Sequence, residues 1–138
     1  MNAPVTSKHT FGWDLETTLL PIIQMLYQEE FEKTGDRFDE IDFVSATRYL
    51  ELKGRREWSE KGYLQAPELF ESWIVPADKV ENKDKPVTVL YYWEVDRSLW
   101  SVDYDPKVWK TFNRGLPHWK NSQIHYWVPR DKWTKIFG

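Results

Sequence analysis

Cysteine is absent from the 138 residues, which excludes disulfides and thiolate metal sites and fits a cytoplasmic protein. No apolar run approaches the length of about 18 residues that reads as a transmembrane helix, so no membrane association is expected. Met1 to Lys8 lack the apolar centre of a secretory signal. Excess basic charge is missing as well. Lys and Arg number 19 against 22 Asp and Glu, a net charge of −3, so charge alone does not advertise a nucleic-acid binder. His9, His118 and His125 stand far apart, without metal-ligand spacing. Gly54 and Gly62 do not make a phosphate loop, and no serine sits in a nucleophile-elbow motif.

What the chain does have is aromatic bulk. Nine Trp and 17% aromatic residues are far above the usual share, and most of the Trp lie after residue 70. Two readings stay open: rings that fill the core of a small β-rich domain, or an exposed surface for protein partners or base stacking. Charge is also unevenly spread. Residues 1–82 carry nine basic and sixteen acidic side chains, a balance of −7, whereas residues 83–138 carry ten and six, a balance of +4. An acidic metal pocket joined to a basic segment would use such a split, and a mixed solvated surface would also produce it. The length suits one domain with a real core.

Residues 1–12 are polar, contain Pro4 and read as a flexible segment, leaving 13–138 as a single domain. From Trp13, apolar residues at 15, 19, 22, 23, 26 and 27 recur at helical spacing. Asp14 is the expected N-cap and Thr34-Gly35 the expected stop, with Pro21 inside the stripe. Strands are expected over 69–75, 87–93, 99–104 and 124–128, with a helical turn at 77–80. The 87–93 segment, Val-Thr-Val-Leu-Tyr-Tyr-Trp, is the strongest, being β-branched and aromatic throughout. Short helices are expected from Asp105-Pro106 through Phe112 and from Arg130 to Ile136. The fold class is therefore α/β (α+β): an N-terminal helix, then a mixed, largely antiparallel sheet of about five strands, then short C-terminal helices.

The run from Phe38 to Gly54 is the most informative. It reads as two short strands joined at Ser45-Ala46-Thr47, with apolar and polar residues alternating. Side chains alternate faces with a period of two. Glu40 and Asp42 therefore share one face of the first strand, with Ile41 and Phe43 on the other. Tyr49, Glu51 and Lys53 share a face of the second, with Leu50 and Leu52 opposite. Carboxylates gathered in this way repel one another. A divalent cation bound by oxygen ligands relieves that repulsion.

Asp42 followed nine residues later by Glu51-Leu52-Lys53, on an acidic strand, a short turn and an apolar-flanked strand after a helix, resembles the PD-(D/E)xK nuclease superfamily. That is the fold of many restriction enzymes, junction resolvases and phage nucleases. The resemblance covers the first two-thirds of the chain in organisation and the hairpin in motif, with Ile41 in place of the proline of the Pro-Asp dipeptide. The family's second large helix, between its third and fourth strands, has no counterpart in the short, charged segment 77–85. The resemblance implies Mg²⁺ or Mn²⁺ held by Asp42, Glu51 and the Leu52 carbonyl, with Glu40 as a further ligand. It implies Lys53 as the residue that positions the attacking water, and Glu16 as the family's helical glutamate. Lys79, Arg55, Arg56 and Lys61 would contact the phosphate backbone. DNA is the implied substrate, a homodimer a common way to address both strands, and a compact phage-type protein the nearest analogy. Two alternatives stand beside the Mg²⁺-dependent nuclease: a non-catalytic member serving as a structural or interaction module, and an unrelated α+β domain whose hairpin charges solvate an edge strand.

Overall fold

Helix α1 runs from Ser7 to Tyr27, straight through Pro21, in a computed structural model that describes residues 7–34, 41–55, 66–115 and 124–138, with the backbone alone over 7–14. The helix thus begins ahead of Asp14, which lies inside it and is not its N-cap. It stops at Gln28, whose φ of 54° is left-handed, rather than at Thr34-Gly35. Leu15, Leu19 and Ile23, four residues apart, are its buried stripe.

Nine strands follow among the described residues, in two sheets. The larger has the order β1 (Glu32–Lys33), β2 (Phe43–Val44), β3 (Tyr49–Arg55), β5 (Val87–Trp93), β6 (Ser98–Asp103), β9 (Thr134–Phe137). It therefore has six strands, not five. The smaller sheet has the order β4 (Ser72–Pro76), β8 (His125–Pro129), β7 (Asn113–Gly115). The 69–75 segment, expected in the main sheet, instead contributes a 3-10 turn at Pro67–Leu69 and then β4 of the second sheet. β3 and β5 are parallel, in register from Tyr49 opposite Val87 to Arg55 opposite Trp93. All other pairs are antiparallel. A parallel pair needs a long crossover; the described part of that connection contains β4 and the 3-10 turns Pro67–Leu69 and Ala77–Lys79.

The molecule has three layers. On one face of the main sheet, the α1 stripe packs with Phe31, Phe43, Leu50, Leu52, Leu90 and Leu99. On the other, Val87, Val89, Tyr91 and Trp93 meet Trp73 and Val75 of β4 and Tyr126 and Val128 of β8. Both faces of β5 are covered, as its uninterrupted apolar run requires. The tryptophans serve mainly as core: Trp73 lies 5.0–5.3 Å, ring to ring, from Tyr91, Trp93, Trp100 and Trp133. Trp127 is the one largely exposed indole among the described side chains.

The C-terminal segment departs most from expectation. Residues 130–136 form a 3-10 turn at Arg130–Lys132 and then β9, not a helix. β9 pairs with β6, which otherwise would present an open edge, and that tertiary demand overrides local helical spacing. Between 105 and 112 the helix is a single turn, α2 (Pro106–Trp109), capped by the Asp105 carboxylate accepting from Lys107 N–H at 3.0 Å. No described helix is long and apolar enough to cross a membrane.

Candidate active site

The site is created by the shortness of β2. Its two residues pair with Tyr49 and Leu50 alone, so β3 continues through Glu51, Lys53 and Arg55 without a described strand partner on that side. Ser45 N–H donates to the Arg48 carbonyl at 2.9 Å and closes the hairpin loop. The Glu29 carboxylate fastens that loop, accepting from Ser45 Oγ at 2.8 Å and pairing with Arg48 Nε at 3.2 Å.

Asp42 occupies the place where pairing stops. Its Oδ2 accepts from the Leu52 N–H at 2.7 Å, satisfying a backbone donor that a longer β2 would have taken. Strand alternation does not extend back to it. Phe43 enters the core under α1 while Ile41 enters the core under the second sheet, so the chain turns between them and Asp42 is aimed along the edge of β3.

Glu51 sits beside it, 3% exposed. Leu50 and Leu52 enter the α1 core, so alternation directs Glu51 and Lys53 to the opposite face. Burial pushes the Glu51 carboxyl well above its ordinary range, and the charge of neighbouring Asp42 pushes it further. Asp42 is also raised by burial, against the Leu52 N–H and the charges of Lys79 and Lys53. Oε1 of Glu51 is buried without a hydrogen-bond partner.

Two lysines face this pair. For Lys53, burial and the charge of Arg55 outweigh the attraction of Glu51 and Asp42, and its ammonium titrates below the ordinary lysine value. Desolvation thus outweighs the neighbouring carboxylates, which by themselves would hold its proton more tightly. Lys79, from the 3-10 turn after β4, is buried, and its charge acts on Glu16, Asp42 and Glu51 alike. Glu16 comes from α1, one residue along from Leu15. Burial, then the charge of Asp42, pushes its carboxyl up to about 7.

Of the residues singled out in the sequence, Asp42, Glu51, Lys53, Glu16 and Lys79 thus form one electrostatic cluster drawn from the helix, the hairpin and the crossover. Leu52 contributes its N–H to Asp42 and its side chain to the core. Arg55 lies two residues past Lys53 and donates from Nε to the Tyr91 hydroxyl at 3.0 Å. Glu40, Arg56 and Lys61 lie outside the described residues. Lys33, which sequence reasoning missed, lowers Glu16 by its charge; it sits on the two-residue strand β1, too short for any alternation to read.

The donor set fits a hard divalent cation. Mg²⁺ is usually bound by one or two carboxylates, with water and substrate phosphate oxygens completing its shell. Asp42 and Glu51, with the unpartnered Oε1, offer such a pair. Among the described residues no group of three His, Asp or Glu side chains is arranged to hold a metal by itself.

The three raised carboxyls set a pH dependence. A carboxyl that titrates higher in the fold binds its proton more tightly there, so stability is greatest below the unfolded value and declines as pH rises through the folded one. For Glu16 that window runs from about 4.5 to about 7. Glu29, Glu81 and Asp84 are lowered; their contributions are complete above the unfolded value and do not oppose this trend. Melting curves of metal-free protein are expected to shift to lower temperature from pH 5 to pH 8, with Glu16→Gln flattening the lower part of that slope and Mg²⁺ restoring stability at pH 8. A melting temperature that climbs over this range would contradict the placement of these carboxyls.

Comparison with protein-family models, with curated proteins and with solved structures finds no match for this chain.

Proposed function

We propose that this protein is a Mg²⁺- or Mn²⁺-dependent deoxyribonuclease of the PD-(D/E)xK type. The observation that carries the reading is the convergence of Asp42, Glu51 and Lys53 at the unpaired edge of β3. The order of a helix and three strands, with the next strand of the main sheet, β5, parallel to the third, supports it, although the described residues of the crossover form a strand and 3-10 turns.

In this reading Asp42 and Glu51 would hold the metal ion as carboxylates. The bound ion supplies Lewis acidity toward phosphate and lowers the pKa of a water. The chain's own residues do the rest. Lys53 directs its ammonium at the charge that builds on the non-bridging phosphate oxygens as water attacks phosphorus and the P–O ester bond breaks. Lys79, whose charge reaches the same carboxyls, would add a second cation for the phosphate. Glu16, titrating near neutrality, is matched to accept the proton of the attacking water.

The test is cleavage of single-stranded DNA and of plasmid with Mg²⁺ or Mn²⁺ and with chelator, beside metal titration by calorimetry. Metal-dependent cleavage is expected, and Lys53→Met is expected to stop it while leaving metal binding largely intact, since the ammonium is not a ligand. Protein that takes up no divalent metal and cuts no nucleic acid would favour the second reading, a non-catalytic module with this fold. The feature behind that reading is the net charge of −3, which does not advertise a nucleic-acid binder.

A further inference from the structure

We propose that the exposed ring of Phe70 is a base-stacking platform, and that the nucleic acid lying along β3 is therefore single-stranded. The inference rests on the nuclease reading and specifies the form of its substrate.

Phe70 is 41% exposed, yet firmly seated. Its ring stacks on Trp93 at 5.8 Å and 28°. Trp93 is itself buried and clamped between Trp73 at 5.0 Å and Tyr91 at 5.3 Å. The turn that delivers Phe70 is pinned at three points. Pro67 is buried, its carbonyl accepts from Trp73 Nε1 at 3.2 Å, and the Glu68 carbonyl accepts from Arg130 Nη1 at 2.7 Å. A ring fixed in this way loses little conformational freedom when a flat ligand covers it.

Its position relative to the cluster gives the ring a meaning that a solitary surface apolar residue lacks. In the β3–β5 register, Glu51 lies opposite Val89, Lys53 opposite Tyr91 and Arg55 opposite Trp93. Glu51, Lys53 and Arg55 share the face of β3 that looks toward the second sheet, and Phe70 rests on Trp93 on that face. At about 3.3 Å per residue, Arg55 is about 13 Å along the strand from Glu51, with Lys53 midway. Two cations thus lead from the carboxyl pair to the aromatic ring. Phosphates that track Lys53 and Arg55 would bring a base to Phe70. A base offers its face to an aromatic ring only when it is unstacked and unpaired, and duplex DNA presents edges alone. Lys53 and Arg55 alone would hold duplex and single strand alike; Phe70 discriminates.

The experiment is fluorescence anisotropy of full-length protein with a labelled single-stranded oligodeoxynucleotide and with its duplex, in chelator so that nothing is cut. Wild-type protein is expected to bind the single strand more tightly. Phe70→Ala is expected to weaken that binding about tenfold, the scale of one base–aromatic stack, and to leave duplex binding unchanged. Phe70→Trp should retain affinity, with its indole emission quenched by the oligonucleotide. Trp127→Ala, which removes an exposed ring on β8, serves as the control that changes nothing. Equal affinity for both forms, wild-type-like binding by a folded Phe70→Ala, or binding of no nucleic acid overturns the proposal. These outcomes separate from those of the nuclease reading. Cleavage of a single-stranded oligodeoxynucleotide by Phe70→Ala at the wild-type rate ends the platform and leaves the nuclease. Phe70-dependent binding of single strands without metal uptake or cleavage supports the platform and ends the nuclease.

Discussion

Glu51→Gln is expected to abolish metal-dependent cleavage while raising the stability of the metal-free fold at neutral and alkaline pH. The substitution keeps the volume and a hydrogen-bond donor toward Asp42 and removes only the capacity for negative charge. As a ligand, Glu51 must be anionic, and the loss is expected to reach about 10²–10³-fold in rate or more, the scale at which removing one group aimed at developing charge acts. The gain in stability has the same origin. Glu51 is 3% exposed and its carboxyl titrates well above the ordinary value, so ionising it in the empty site costs free energy, and the amide never incurs that cost. The melting temperature of Glu51→Gln is therefore expected to exceed that of wild-type at pH 8, by a margin that narrows as the pH falls. Added Mg²⁺ is expected to stabilise the wild-type and not the variant. Undiminished cleavage by Glu51→Gln would remove Glu51 from the site. Equal melting temperatures at pH 8 would mean that burial does not raise its carboxyl.

Leu90→Asp is expected to unfold much of the protein. Leu90 is fully buried on β5, between Leu52 of β3 and Ser101 of β6, and its side chain packs in the α1 core. A carboxylate there has neither a cationic partner nor water. The expected cost is about 4–5 kcal/mol or more, against a total stability of about 5–15 kcal/mol for a domain. It should appear as a fall in melting temperature of about 15 °C or more by circular dichroism, with tryptophan emission shifting as the opposite core loosens. Leu90→Ala, which leaves a cavity without a charge, is expected to cost about 2–5 kcal/mol. An unchanged melting temperature for Leu90→Asp would show that β5 is not central.

Period-two alternation by itself determined much of this protein. It marks β5 as a strand covered on both faces and sets Leu50 and Leu52 against Tyr49, Glu51 and Lys53, because each side chain's face follows from its parity alone. The Asp42, Glu51 and Lys53 spacing was legible for the same reason, since a hairpin keeps its partners close in the chain. What alternation cannot specify is which strand lies next to which. The parallel pairing of β3 with β5, the assignment of β4 to a second sheet and the conversion of residues 134–137 into β9 are long-range choices. They are decided by which arrangement buries Trp73, Tyr91, Trp93 and Trp133 together and leaves the fewest unpaired edges. Ile41 and Phe43 show the limit within the hairpin itself: parity assigns them to one face, yet they enter opposite cores because β2 begins only at Phe43. Glu16 and Lys79 are residue types that surface exposure would explain equally well. Only the tertiary structure seats them beside the Asp42–Glu51 pair, because the helix and the crossover close over the one stretch of β3 that β2 is too short to cover.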